Sequence, residues 1–228
     1  MIGSGFHFDG PGLAPSQPDT RYEYRVWPGA THPALSQLQC GWKLVAAERR
    51  SDIYLLKPDQ GRFLVKLRDG QELEIKRRMR DVGTIQHWTA PLSAGFPLSA
   101  GHRGALSEAL GLSGGVSQET GLSPAHLLSA FGTSGNGVSP RTVRKSRLLF
   151  ERSGCRAEIC RVAVGGWSGF SVALEAPALP AITRATDELR LGTHPNRSYG
   201  EMLASLAGRR RARPAALVHI RNCERRDR

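Results

Sequence analysis

An α+β fold built around antiparallel strands is predicted by three observations. Short segments alternate charged with apolar or aromatic residues, Gly, Pro and Asp turn signals bound them, and helical patterns flank them in the middle and at the end of the chain. The 228 residues suffice for one domain of ordinary size with appendages and a sizeable core. Hydrophobic residues make up 39% of the chain and charged residues 23%, which places it in the globular range and excludes a tail-like disordered chain or a membrane bundle. Lys and Arg number 32 against 20 Asp and Glu, a net charge of +12 that favours polyanionic partners.

In chain order, residues 1–19 are rich in Gly and Pro without periodicity and are expected to form a disordered leader. They lack a basic segment followed by an apolar one, and no run of about 18 apolar residues follows, so a cytoplasmic protein is expected. Strands are predicted at 21–27 (RYEYRVW), 52–56 (DIYLL), 62–68 (RFLVKLR) and 71–78 (QELEIKRR). Asp69-Gly70 tolerates left-handed backbone and makes the last two an antiparallel hairpin. Residues 91–140 change character: 23 of the 50 are Gly, Ser or Pro, which marks an insertion with helical fragments at 102–112 and 124–131. Strands resume at 141–150, 156–164 and 169–176, and helices are predicted at 181–191 and 199–206. Together 20–206 form the domain. The tail, 207–228, holds eight Arg against Glu224 and Asp227, which makes it a solvated terminus or a nucleic-acid contact.

Because alternate side chains of a strand point to opposite faces, the strands sort by parity. Tyr22, Tyr24 and Val26 oppose Arg21, Glu23 and Arg25. Phe63, Val65 and Leu67 oppose Lys66 and Arg68, while Leu73 and Ile75 oppose Glu72, Glu74, Lys76 and Arg78. Phe170, Val172 and Leu174 oppose Ser171, Ala173 and Glu175. Residues 141–150 are less tidy, since Lys145 and Arg147 share parity with Val143 and Leu149. An open sheet with one wet face satisfies this pattern, and so does a closed barrel with charges inside and helices outside. A basic lumen with some carboxylates suits a phosphate chain with a divalent cation, because Lys and Arg neutralise phosphoryl oxygens and Glu supplies hard oxygen ligands.

Other chemistries are not indicated. Cys40, Cys155, Cys160 and Cys223 form no zinc or redox spacing and are expected to be reduced thiols. The glycine runs at 111–115 and 132–137 lack the Gly-Lys-Ser or Gly-Lys-Thr of a phosphate loop, and the seven His show no paired spacing. No residue is assigned a catalytic role by itself, and Tyr199 is expected to pack the C-terminal helix on the barrel.

The stretch RYEYRVW, followed in order by LVKLR, LEIKR, VRKSR, FSVALE and SYGEML, resembles the CYTH superfamily of triphosphate tunnel metalloenzymes, which includes thiamine triphosphatases, inorganic triphosphatases and class IV adenylate cyclases. The resemblance spans residues 20–206 and implies a tunnel of eight antiparallel strands with a polar lumen and helices outside. It implies that Arg25, Lys66, Arg68, Lys76, Lys145 and Arg147 bind the phosphates of a triphosphate-containing small molecule or polyphosphate. It also implies that Glu23, Glu74 and Glu175 hold Mg2+ or Mn2+, with Glu72 or Glu158 as further acids, and that water attacks the terminal phosphoryl. Three positions depart from the family pattern: Arg21 stands where its Glu-x-Glu-x-Lys signature begins, Ala173 where its late Glu-x-Glu begins, and Cys160 near the acidic position preceding that, with Glu158 two residues earlier on the same face as a stand-in. The expectation is therefore a triphosphate hydrolase with a thinned metal cage, or a weakened tunnel that only binds a polyanion or nucleotide. For an adenylate cyclase no base-recognition signature is present.

Overall fold

Strands with one charged and one apolar face bury both by closing the sheet and coating it with helices. The computed structural model describes residues 20–58, 60–116, 122–133 and 135–207; the predicted leader and the Arg-rich tail lie outside these. The strands are β1 (Thr20–Val26), β2 (Lys43–Leu56), β3 (Phe63–Arg68), β4 (Glu72–Val82), β5 (Ile85–Gly95), β6 (Ser139–Arg152), β7 (Cys155–Val164) and β8 (Trp167–Ala176). The helices are α1 (Pro33–Gly41), α2 (Ala100–Leu110), α3 (Pro124–Thr133), α4 (Leu179–Glu188) and α5 (Tyr199–Ala207). The strands close in the order β1-β5-β4-β3-β2-β6-β7-β8, every pairing antiparallel. The open sheet is thereby excluded.

The predicted parity holds. On one side Tyr24, Val26, Ile159, Val172 and Leu174 face outward onto α4 and α1, through Ile182, Ala185, Ala34 and Leu38. On the other Leu55, Val65, Leu67, Leu73 and Ile75 meet Leu106, Leu110, Leu127 and Phe131. The Gly/Ser-rich insertion is thus partly a coat: α2 packs on β3 and β5, and α3 on β6. Ser99 starts α2, its Oγ accepting from the His102 N–H while His102 Nδ1 accepts from the Ser99 N–H. At Asp69-Gly70 both residues are left-handed, φ 48° and 69°, as a tight two-residue hairpin demands; Ser153-Gly154 repeats this between β6 and β7.

Three elements differ from the sequence expectation. β5 was not predicted, because Pro91 interrupts its pattern; Pro91 falls at an irregularity between the Leu92–Ile75 and Thr89–Arg77 pairs, where a missing N–H is tolerated. β2 begins at Lys43 rather than at 52, its first part pairing only with β6. α1 was also missed; His32 caps it, Nδ1 accepting from the Ala34 N–H at 3.2 Å, with Pro33 at the first turn.

Candidate functional site

Eight strands pointing their charged faces at one axis bring together bases and acids that are far apart in sequence. Arg25 Nη1 lies 2.8 Å from Glu158 Oε1, and Arg147 Nε lies 2.5 Å from Glu158 Oε2. Arg147 also reaches Glu48 at 2.8 Å on the rim. Lys66 Nζ is 2.8 Å from Glu74, whose second oxygen accepts from Arg68. Lys76 Nζ is 2.5 Å from Glu23, and Lys145 Nζ is 2.5 Å from Asp52, which Arg50 approaches at 3.3 Å. In these pairs seven bases share five carboxylates.

The pairing sets the protonation of each group. Burial raises the pKa of Glu158, but the Arg25 and Arg147 charges reverse this and hold it well below the carboxylate range. Glu74 behaves alike: against burial, Lys66, Lys76 and Arg68 bring it to about 2. Burial raises Asp52 as well, but Lys145 and Lys66 outweigh it and its pKa is lowered. Glu23 is the exception, because burial outweighs Lys76 and the neighbouring Glu175 charge adds to it, so its pKa is raised. Burial and Lys66 push Lys145 down to about 7 against the pull of Asp52.

The inner end of the lumen is sealed. Tyr54, Val143, Cys160 and Val162 point inward from the strands and pack on Tyr199 and Leu203 of α5. Val143 thereby accounts for the mixed parity of β6. The Tyr199 ring lies under two cations, 4.1 Å from Lys145 Nζ and 4.5 Å from the Arg25 guanidinium carbon, and Lys145 Nζ donates to Tyr54 Oη at 2.8 Å. Tyr199 therefore packs the helix, as expected, and also walls the charged lumen. Asn196 fixes the approach to α5: its Oδ1 accepts from the Arg25 N–H at 2.8 Å, and its Nδ2 donates to Glu23 O and Thr84 O. The buried thiols of Cys155 and Cys160 are pushed to about 11, mainly by burial, while Cys40 is exposed; Cys223 lies outside the described residues.

At the opposite end the mouth forms a cavity of about 210 Å³ lined by Arg21, Glu23, Arg68, Glu74, Lys76 and Glu175 among others. All six proposed phosphate-binding residues, Arg25, Lys66, Arg68, Lys76, Lys145 and Arg147, thus take part in lumen ion pairs, which fall into four clusters around Glu158, Glu74, Glu23 and Asp52. The three proposed metal ligands line one cavity but are not equivalent. Glu23 and Glu175 stand directly opposite each other in the β1–β8 register. Glu74 is held by Lys66 and Arg68, and Glu158 by two arginines. No group of three or more His, Cys, Asp or Glu able to hold a metal forms among the described residues. A two-ion centre does not fit these residues. A single Mg2+ or Mn2+ fits at its lower limit, with two carboxylates and the remaining oxygens from phosphate and water. Asp52, Tyr54, Arg50 and Glu48 were not foreseen as site residues, although Asp52 and Tyr54 alternate with Ile53 and Leu55 in DIYLL and could have been found by the same parity.

No family model and no curated protein matches the chain. Solved structures do. A conserved hypothetical protein from Pyrococcus furiosus is similar at 15% identity and a TM-score of 0.50, over 79% of this chain and 98% of that one. The PH1819 protein of Pyrococcus horikoshii is similar at 14% and 0.46, over 82% and 99%. A Hippeastrum protein reported to have a dominant triphosphatase activity is similar at 12% and 0.46, over 82% and 95%. Eight antiparallel strands closed round a charged lumen, coated by helices and plugged by one of them, make the tunnel-like barrel expected from the sequence, and this chain shares its fold with the Pyrococcus furiosus protein.

Proposed function

We propose that this chain binds a triphosphate-type anion, inorganic tripolyphosphate or an organic triphosphate, through the bases of its lumen. The observation that carries this reading is that seven lumen bases share five carboxylates inside a barrel sealed at one end. Positive charge in excess of its partners, in a poorly solvated space, favours an entering polyanion. Lys76 and Arg68 meet it first, since both line the mouth. Lys66, Lys145, Arg147 and Arg25 lie deeper, each already oriented by a carboxylate, so the anion exchanges partners with bases that are held in place.

The test is calorimetric titration with tripolyphosphate in the presence of a chelator. Wild type is expected to bind, and Lys76→Ala and Arg68→Gln to weaken binding by about tenfold each, the usual scale for one charge-assisted contact. Affinity unchanged in both variants would overturn the reading.

The facing pair Glu23 and Glu175 favours a second reading, hydrolysis of the terminal phosphoryl. One Mg2+ or Mn2+ on this pair would neutralise phosphoryl oxygens. Lys76 and Arg68 would hold the terminal phosphoryl group while Glu23 gave up its Lys76 contact. Binding is placed first because Lys76 already neutralises Glu23, and Arg21 and Ala173 stand where further acids would be needed. Metal-dependent phosphate release that is lost in Glu175→Gln would reverse that order.

A further inference from the structure

A second cavity lies at the sealed end of the barrel and shares no lining residue with the mouth. This groove of about 740 Å³ runs between the start of β6, the β7–β8 turn and α5. Its volume falls within the range of small-molecule sites, roughly 300–1,000 Å³. Trp27, Trp167, Arg141 and Arg197 line it, with Met202 and Leu206 among the apolar residues, and none of its lining residues is acidic. Both arginines are exposed, and neither forms an ion pair among the described residues. The one acid of α5, Glu201, is paired with Arg78 at 3.0 Å.

The aromatic wall is held in position. The Arg197 N–H donates to the Arg25 carbonyl at 2.8 Å, and the Arg197 carbonyl accepts from Trp27 Nε1 at 3.0 Å, which ties this arginine's backbone to the Trp27 ring. That ring also meets Tyr199 edge-on at 5.1 Å. Trp167 lies against Gly169, where a Cβ would come within 2.6 and 2.7 Å of indole carbons, so glycine lets the ring settle on its own strand. The two indole centroids are 6.1 Å apart at a tilt of 60°, which is direct contact, and both rings are partly exposed. A ligand ring therefore lies on this wall rather than between its members.

The two parts of the lining select two parts of a ligand. Tryptophan surface takes apolar molecules by area and favours a flat ring by stacking. Two arginines with no acid beside them favour an anionic group and disfavour a cationic one. We propose that this groove binds a small planar aromatic anion, such as a nucleoside monophosphate, with its ring on Trp27 and Trp167 and its anionic group on Arg141 and Arg197.

The test follows the indole N–H resonances of the four tryptophans in the full-length, nitrogen-15-labelled chain as inosine monophosphate is added. Trp27 and Trp167, assigned by substitution with Phe, should shift saturably. Trp88, which lines the mouth, separately reports any nucleotide that enters the lumen. Read at Trp27, Trp167→Ala should weaken binding about tenfold, the scale of one lost base–aromatic stack, and Trp167→Phe should recover most of it. Arg141→Glu, an exposed substitution that leaves the core untouched, should weaken binding about tenfold by placing a carboxylate against the anionic group. Inosine, which keeps the ring and lacks the phosphate, should bind about tenfold more weakly than its monophosphate. Lys76→Ala should leave the affinity read at Trp27 unchanged. The proposal is overturned if Trp27 and Trp167 do not shift at millimolar nucleotide, whether or not Trp88 does. It is equally overturned if Trp167→Ala and Arg141→Glu both bind within about twofold of wild type, or if inosine matches its monophosphate.

Discussion

The two ends of the barrel handle positive charge in opposite ways. In the lumen and at its mouth, bases are matched to carboxylates across strands, so that Glu158 spans Arg25 and Arg147 while Glu74 spans Lys66 and Arg68. At the sealed end Arg141 and Arg197 stand beside tryptophans with no acid lining the groove. Charges of the first kind are part of what holds the fold, and they bind by exchanging partners. Charges of the second kind contribute little to the fold and act through long-range attraction that salt screens.

The largest effect is expected where one acid serves two buried bases. Glu158→Gln leaves Arg25 and Arg147 short of charge in the lumen and should cost about 3–5 kcal/mol in chemical denaturation. A loss under about 1 kcal/mol would mean that the lumen is far wetter than its pairing implies. Next is acid lability. Glu74, Glu158 and Asp52 have lowered pKa values in the fold, so the stability they supply is fully present above their unfolded values near 4 and is lost as pH falls through the folded ones. Glu74 alone, lowered from 4.5 to about 2, accounts for roughly 3 kcal/mol across that window. Glu23 has the opposite sign, since its raised pKa favours the fold while it is protonated. Denaturant titrations at pH 6, 4 and 2.5 should therefore show a net fall, and a flat profile would break the contrast between lumen and groove.

A smaller effect tests the groove. Gly169→Ala should displace Trp167 and cost about 1–2 kcal/mol, read as a fall in thermal midpoint together with a shift in tryptophan emission. Least of all, Arg141→Glu should change stability by no more than about 0.5 kcal/mol, because the side chain is exposed and unpaired among the described residues. A loss comparable to that of Glu158→Gln would erase the distinction between the two ends.

How much of this was legible in the sequence depends on the distance over which each feature is decided. Parity within one strand is local, and it put Glu23, Arg25, Lys66, Arg68, Glu74, Lys76 and Glu175 on the polar face of their strands, whereas Lys145 and Arg147 share parity with Val143 and Leu149 and were assigned by the resemblance alone. Asp69-Gly70 is likewise a two-residue signal. Which acid meets which base is not local, for Glu23 and Lys76 are 53 residues apart, Asp52 and Lys145 93, and Arg25 and Glu158 133. Those pairs exist only because the barrel closes with a particular register. Asp52 went unnoticed because the first part of β2 alternates weakly, which made it look like a strand boundary, and β5 because Pro91 reads as a breaker unless the irregularity opposite it is known. The groove was invisible for the same reason: Trp27, Arg141, Trp167 and Arg197 come from four separate parts of the chain.

The most direct measurement is a phosphorus-31 magnetic resonance spectrum of tripolyphosphate mixed with the protein, first in chelator and then with magnesium or manganese added. The account predicts that the tripolyphosphate resonances shift or broaden in chelator, that Lys76→Ala removes the change, and that no orthophosphate resonance grows on adding metal. Unperturbed resonances with wild type would contradict anion binding in the lumen, and a growing orthophosphate signal that needs Glu175 would contradict the assignment of the tunnel as a binding site rather than a hydrolase.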